Sequence, residues 1–180
     1  MREIVFDTET TGLDPKTGDL YISDGYANAR VHKYSEDGKP LLSWGESGTG
    51  EGQFNIVHNI DTDNDGWGYV ADRENRRIKI FSEGGRLLET YNTPGYPYAV
   101  KPLGQGYFVS VEGRDASDRE GAIVRVWRPD GTIGRILDAS GEGPTKGHDL
   151  AIGGDGTIYL ADPEGKRVLT FELAQTTEDE

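Results

Sequence analysis

Strand-ending aromatics recur at Tyr34, Phe81, Trp127 and Phe171, spaced by 47, 46 and 44 residues. A hairpin glycine follows three of them, at Gly38, Gly85 and Gly131. An acidic residue closes a short apolar run at Asp24, Asp72 and Asp162. Asp65–Gly66 and Asp155–Gly156 precede two of those runs, and Asp-Gly between β-rich segments marks a tight hairpin. The best-kept copy is Val70–Phe81: a short strand, a polar turn and a second strand. A period in the mid-forties made of short strands predicts the blades of a β-propeller. One such sheet cannot bury both faces alone, so neighbours must stack.

The first unit is predicted over Asp19–Asp24, Arg30–Tyr34 and Leu41–Trp44. The second has Asn59–Thr62, Tyr69–Asp72, Arg77–Phe81 and Leu87–Tyr91. The third has Tyr98–Lys101, Tyr107–Val111, Ile123–Trp127 and Ile133–Leu137, with a polar insertion at Arg114–Gly121. The fourth has Leu150–Ile152, Thr157–Asp162 and Arg167–Leu173, then stops without an outer strand. Ile4–Phe6 has two placements: that outer strand, or the innermost strand of the first unit. The expectation is an all-β propeller of about four blades over residues 14–173, as a closed ring or an open arc. The acidic tail 174–180 is expected to fray.

The 26 glycines fall between apolar runs, which fits turns rather than disorder. A net charge of −13 argues against a nucleic-acid partner. The absence of cysteine excludes disulfides and thiolate metal sites. No apolar run has the length of a membrane span, and Met1–Asp7 lacks the apolar region of a signal peptide. No membrane association and a cytoplasmic residence are expected from the sequence as written.

Several words in this repeat carry a resemblance. They are Asp-Pro-Lys-Thr-Gly at 14–18, Ser-Asp-Gly-Tyr-Ala-Asn-Ala-Arg at 23–30, Gly-Gln-Phe at 52–54 and Val-His at 57–58. Val-Ala-Asp-Arg-Glu-Asn at 70–75, Gly-His-Asp at 147–149 and Asp-Gly-Thr-Ile-Tyr-Leu-Ala-Asp at 155–162 complete the set. From about Asp14 to Leu173 the chain resembles the NHL-repeat propellers. More narrowly, it resembles the catalytic domain of the peptidyl-α-hydroxyglycine α-amidating lyases. The resemblance implies a six-bladed relative with a zinc ion held by three histidines in its channel. It also implies cleavage of a peptidyl-α-hydroxyglycine into a peptide amide and glyoxylate. His58 and His148 then match two zinc ligands, Tyr26 a general base on the substrate hydroxyl, and Arg73 an active-site arginine.

The residues themselves are compatible with that reading. His58 and His148 each stand just before a predicted innermost strand, two repeats apart, so both face one channel mouth. Neutral imidazole suits Zn²⁺, and a catalytic zinc takes three protein ligands and an open position. Tyr26 and Arg73 each follow a second strand and point to the same rim. The family's third histidine and a further arginine belong to a blade N-terminal to this sequence. The remaining histidine, His32, lies inside a predicted strand. Lys146-Gly147 replaces a common Met-Pro, and Ala27 replaces a cysteine. A carboxylate such as Asp61 or Asp149, or a second chain, would have to complete the metal site. A structural calcium ion is a further expectation.

Arg2–Asp14 resembles a different family, the proofreading 3′–5′ exonucleases, through their first motif. Asp7 and Glu9, one residue apart on a strand, point the same way and could share a metal ion. The later motifs are absent; His58 and Asp63 have one motif's spacing but lie on a predicted repeat strand. Residues 1–13 therefore read as an exonuclease-like beginning grafted onto the propeller. Three functions follow in order: a propeller binding a peptide or protein at its channel rim, a zinc-dependent lyase, and remotely a metal-dependent exonuclease. Open blade edges would allow a homo-oligomer.

Overall fold

The computed structural model describes residues 8–117, 119–139 and 143–173. The first sheet holds β1 (Thr8–Leu13), β2 (Leu20–Asp24), β3 (Arg30–Tyr34) and β4 (Pro40–Trp44). The second holds β7 (Val57–Thr62), β8 (Gly68–Asp72), β9 (Arg77–Phe81) and β10 (Leu87–Asn92). Between them, β5 (Glu46–Ser47) and β6 (Gln53–Phe54) form a short parallel ladder. The third sheet holds β11 (Tyr96–Gly104), β12 (Tyr107–Arg114), β13 (Glu120–Trp127) and β14 (Ile133–Asp138). The fourth holds β15 (Asp149–Ile152), β16 (Thr157–Asp162) and β17 (Arg167–Glu172).

Each sheet is an antiparallel meander in chain order, so the predicted all-β propeller of four blades is the observed fold. The first strands of successive sheets touch: β1 meets β7, β7 meets β11, and β11 meets β15. These strands line the inner side of the array. The first of them, Thr8–Leu13, falls within the stretch that resembles an exonuclease motif, yet it pairs with β2 as a blade strand. Ile4–Phe6 and Asp7 lie outside the described residues.

Three apolar cores sit between consecutive blades. Tyr21, Val31, Phe54, Val57, Ile60 and Val70 fill the first. Tyr69, Ala71, Ile78, Val100, Phe108 and Trp127 fill the second. Val109, Val111, Val124, Leu150, Ile158 and Leu160 fill the third. β8 supplies both of its faces, Val70 to one core and Tyr69 and Ala71 to the next. It is therefore buried throughout, whereas exposure alternates along β17. A strand with a neighbour on each side reads as a continuous apolar run, and one with a single neighbour alternates. The hairpin glycines Gly38, Gly85 and Gly131 all have φ near +80°, a conformation that glycine adopts without a side-chain clash.

Candidate functional site at the channel rim

The repeated acids identified in the sequence fasten the links that carry the histidines. Asp72 Oδ1 accepts the Asn55 amide at 2.7 Å, three residues before His58. Asp162 Oδ1 accepts the Lys146 amide at 2.9 Å, two residues before His148. Each acid is then held by an arginine five residues on, Arg77 Nε at 2.6 Å and Arg167 Nε at 3.0 Å. In the third blade Glu112 takes the same place, buried against Arg125 at 2.6 Å. Burial pushes Asp72 up despite its amide and arginine donors.

The innermost strands bulge at the same point. The register of β7 against β8 shifts between Val57 and Asn59, and that of β11 against β12 between Pro97 and Ala99. His58 and Tyr98 occupy these bulges, which re-aim side chains toward the channel. His148 stands one residue before β15, with its amide bonded to the Ala161 carbonyl at 3.0 Å. Three successive blades thus bring His58, Tyr98 and His148 together. Ring centroids are 4.7 Å apart for His58–Tyr98, 5.6 Å for Tyr98–His148 and 5.1 Å for His58–His148. Ile56, two residues before His58, has φ of 60°, unusual for a β-branched residue. Its carbonyl accepts the Arg73 amide at 3.0 Å, which ties the His58 link to the Arg73 turn.

Tyr26 joins from the first blade. A Cβ on the preceding Gly25 would run into the Val57 carbonyl, so glycine there lets the Tyr26 turn lie on the start of β7. Arg73 Nη1 donates to the Tyr26 hydroxyl at 2.9 Å, and Arg73 Nε pairs with Glu74 at 3.0 Å. The Arg73 guanidinium lies 5.0 Å from the Tyr98 ring centre, and Lys146 Nζ lies 5.2 Å from it. The four residues singled out from the sequence, Tyr26, Arg73, His58 and His148, therefore meet at one rim. Tyr98 and Lys146 were missed as contributors. The signal for Tyr98 was its place in the third repeat, equivalent to that of His58. His32 is elsewhere, on β3, with Nε2 3.4 Å from Asp24.

His58 is 1% exposed, and its Nδ1 lies 2.7 Å from the Tyr98 carbonyl oxygen. A carbonyl only accepts, so Nδ1 carries the proton and Nε2 the lone pair. Burial first, opposed by the bond to the Tyr98 carbonyl and aided by Arg73, His148 and Lys146, pushes His58 down to about 3. The imidazole is therefore neutral at physiological pH, the form that binds a metal. The donor set is short, however. Among the described residues no group of three His, Cys, Asp or Glu side chains could hold a metal ion. Asp61 is engaged by Lys101 at 3.2 Å, and Asp149 accepts its neighbour's amide at 2.8 Å. The described His, Cys, Asp and Glu side chains alone do not complete a zinc site. The arrangement offers two imidazoles and two tyrosines around one opening, with Arg73 and Lys146 beside them, each paired with a carboxylate, Glu74 at 3.0 Å and Glu120 at 3.3 Å.

The fold and this rim define the class: a propeller domain of repeated antiparallel blades with an aromatic channel mouth that carries two histidines, an arginine and a lysine. No family model matches the chain. The peptidyl-glycine α-amidating monooxygenase of Mus musculus is 30% identical over 186 residues, covering 91% of this chain and 18% of that protein. The probable peptidyl-α-hydroxyglycine α-amidating lyase pgal-1 of Caenorhabditis elegans is 29% identical, covering 88% of this chain and 47% of its own length. NHL repeat-containing protein 3 of Homo sapiens is 39% identical over 117 residues, covering 62% of this chain and 34% of that protein. These relatives support an NHL-type, lyase-like domain. The chain spans about a fifth of the length of the amidating monooxygenases it matches. Among solved structures, Kuenenia stuttgartiensis hydrazine synthase superposes with a TM-score of 0.66 at 14% identity, covering 84% of this chain and 42% of that one. That likeness concerns the fold alone. The relatives lend no support to the exonuclease-like reading of residues 1–13, and the Glu9 side chain is outside the description. Among the described residues no helix is long and apolar enough to cross a membrane.

Proposed function

We propose that this chain is an NHL-type, lyase-like propeller that binds a peptide by its terminal carboxylate at the channel rim. One observation carries the reading: Arg73 is fixed by Tyr26 and Glu74 and, with Lys146, flanks the Tyr98 ring beside two imidazoles. A guanidinium held on two sides is pre-organised, and charge-assisted hydrogen bonds to a carboxylate are stronger than neutral ones. The acidic remainder of the chain repels the same peptide elsewhere, which favours the mouth where Arg73 and Lys146 stand. The test is a calorimetric titration with a short peptide and with its C-terminal amide. The acid is expected to bind about tenfold or more tightly than the amide, and Arg73→Met to erase the difference. Equal affinity of acid and amide would refute the assignment.

A second reading is favoured by the His58 tautomer and by the names of the relatives. In it the rim is that of a zinc-dependent lyase acting on a peptidyl-α-hydroxyglycine, with His58 and His148 as two ligands. A zinc ion would supply a Lewis acid, and Tyr26 would stand where a proton could be moved. The third ligand would have to come from outside the described residues. Metal analysis after dialysis against zinc separates the readings: one equivalent, lost in both His58→Ala and His148→Ala, supports the lyase, and none removes it.

A further inference from the structure

β7 runs from the rim toward Thr62, so the turn after it, which ends at Trp67, stands at the opposite end of the second blade from His58. There, between the second and third blades, lies a cavity of about 310 Å³ lined by Trp67, Tyr69, Leu88, Glu89, Tyr91 and Pro129. Its walls are aromatic and aliphatic. Trp67 is 40% exposed, while Tyr69 is fully buried. The hydroxyl protons of both tyrosines are already committed. Tyr69 donates to Asp63 Oδ2 at 3.2 Å, and Tyr91 to the Pro129 carbonyl at 3.1 Å. The Tyr91 ring is fixed against Phe108, with centroids 5.3 Å apart.

The charged residue on its lining is an acid, Glu89. Glu89 is exposed on β10 and makes no ion pair or side-chain hydrogen bond among the described residues. Burial, then the charges of Glu89 and Asp130, pushes the Tyr91 hydroxyl up. Both acids therefore act on this spot. An apolar cavity with a carboxylate at its mouth disfavours an anion and gives a neutral ligand nothing to pair with the charge. A primary ammonium brings three N–H donors and would find a single carboxylate, Glu89, to take them. A quaternary ammonium has no donors, and aromatic faces with a carboxylate nearby satisfy its diffuse charge. The volume sits at the lower end for ligand pockets and suits a head group rather than a long chain.

We propose that this cleft binds a quaternary ammonium group, carried either by a free small molecule or by a trimethylated lysine side chain. The test titrates the folded chain with choline and with 3,3-dimethylbutanol, its neutral isostere, followed by nuclear magnetic resonance. Choline is expected to bind saturably and about tenfold more tightly than the isostere. Trp67→Ala is expected to weaken it about tenfold and Glu89→Gln severalfold. Trp67 ends a hairpin whose backbone bonds to Asp63 do not need the indole, and thermal unfolding of each variant checks that the fold is kept. A trimethyllysine peptide that binds more tightly than choline places the group on a protein, and one that binds less tightly places it on a small molecule. No saturable binding of choline, isostere binding as tight as choline, or a folded Trp67→Ala variant that binds like the parent would overturn the proposal.

Discussion

Tyr69 and Tyr159 occupy the same position in the second and fourth blades, each opening a Tyr-Val/Leu-Ala-Asp run, yet Tyr69 is fully buried and Tyr159 is 42% exposed. Tyr69 packs on Phe108 of the next blade, with ring centroids 5.7 Å apart. Tyr159 faces away from the third blade, on the sheet face that also carries exposed Val168. Nearly identical local sequence thus meets opposite packing. Tyr69→Ala is expected to cost about 3–5 kcal/mol, the range for large aromatics lost from a core. Tyr159→Ala should stay within about 1 kcal/mol. Chemical denaturation of both variants checks the pair, and similar losses would mean that the outer face of the fourth blade is covered.

The link between the first two blades is held by a buried ammonium and a neighbouring guanidinium. Lys79 Nζ donates to the carbonyls of Gly50, Glu51 and Gln53 at 3.1, 2.7 and 2.7 Å. Arg77 adds bonds to Thr49, Gly50 and Gln53. Lys79→Met keeps the apolar stem but removes the donors, at an expected cost of about 2–3 kcal/mol. Limited proteolysis should then cut within the glycine-rich stretch 48–52 well before the parent is cut there.

Gly25 sets the approach of the Tyr26 turn to Val57. Gly25→Ala has no room for its Cβ, so the turn must move off β7. A loss of about 1–3 kcal/mol is expected, the usual range for overpacking. The Arg73–Tyr26 hydrogen bond should be lost with it. Gly38→Ala, at an open hairpin tip, should cost only the strain of its positive φ, about 1 kcal/mol.

His58 makes stability depend on pH with a defined sign. Its folded pKa, about 3, lies below the ordinary histidine value of 6.5, so the unfolded chain takes up the proton first on acidification. The stabilisation is complete above about pH 6.5 and is lost as pH falls toward 3, by up to about 1.4 kcal/mol per unit. His58→Asn retains a donor toward the Tyr98 carbonyl without titrating. Denaturation between pH 5 and 6.5 should give a shallower slope for the variant, and parallel slopes would show that His58 titrates normally.

Much of this architecture was legible because the repeat is written in backbone chemistry. Asp-Gly turns, hairpin glycines and strand-closing acids each answer to a local requirement, so Asp72 and Asp162 could be matched before any contact was known. The convergence of His58, His148, Tyr26 and Arg73 followed from equivalent places in the repeat. Tyr98 was overlooked because tyrosine in a strand reads as core, and only its bulge turns it to the rim. Lys146 stood out only as a departure from a family pattern, because its role depends on Asp162 holding its amide. The burial of Lys79 was hidden by an ordinary polar-apolar alternation, since its partners are carbonyls of a distant link. The blade strand at Thr8–Leu13 was masked by a more specific resemblance covering the same residues.

The most direct test follows heat and glyoxylate together while the chain, in saturating zinc, is titrated with a peptide ending in α-hydroxyglycine. Saturable heat that is lost in Arg73→Met is expected, with no glyoxylate above the blank. Glyoxylate accumulating in proportion to the chain and vanishing in His58→Ala, or heat unchanged in Arg73→Met, would contradict that expectation.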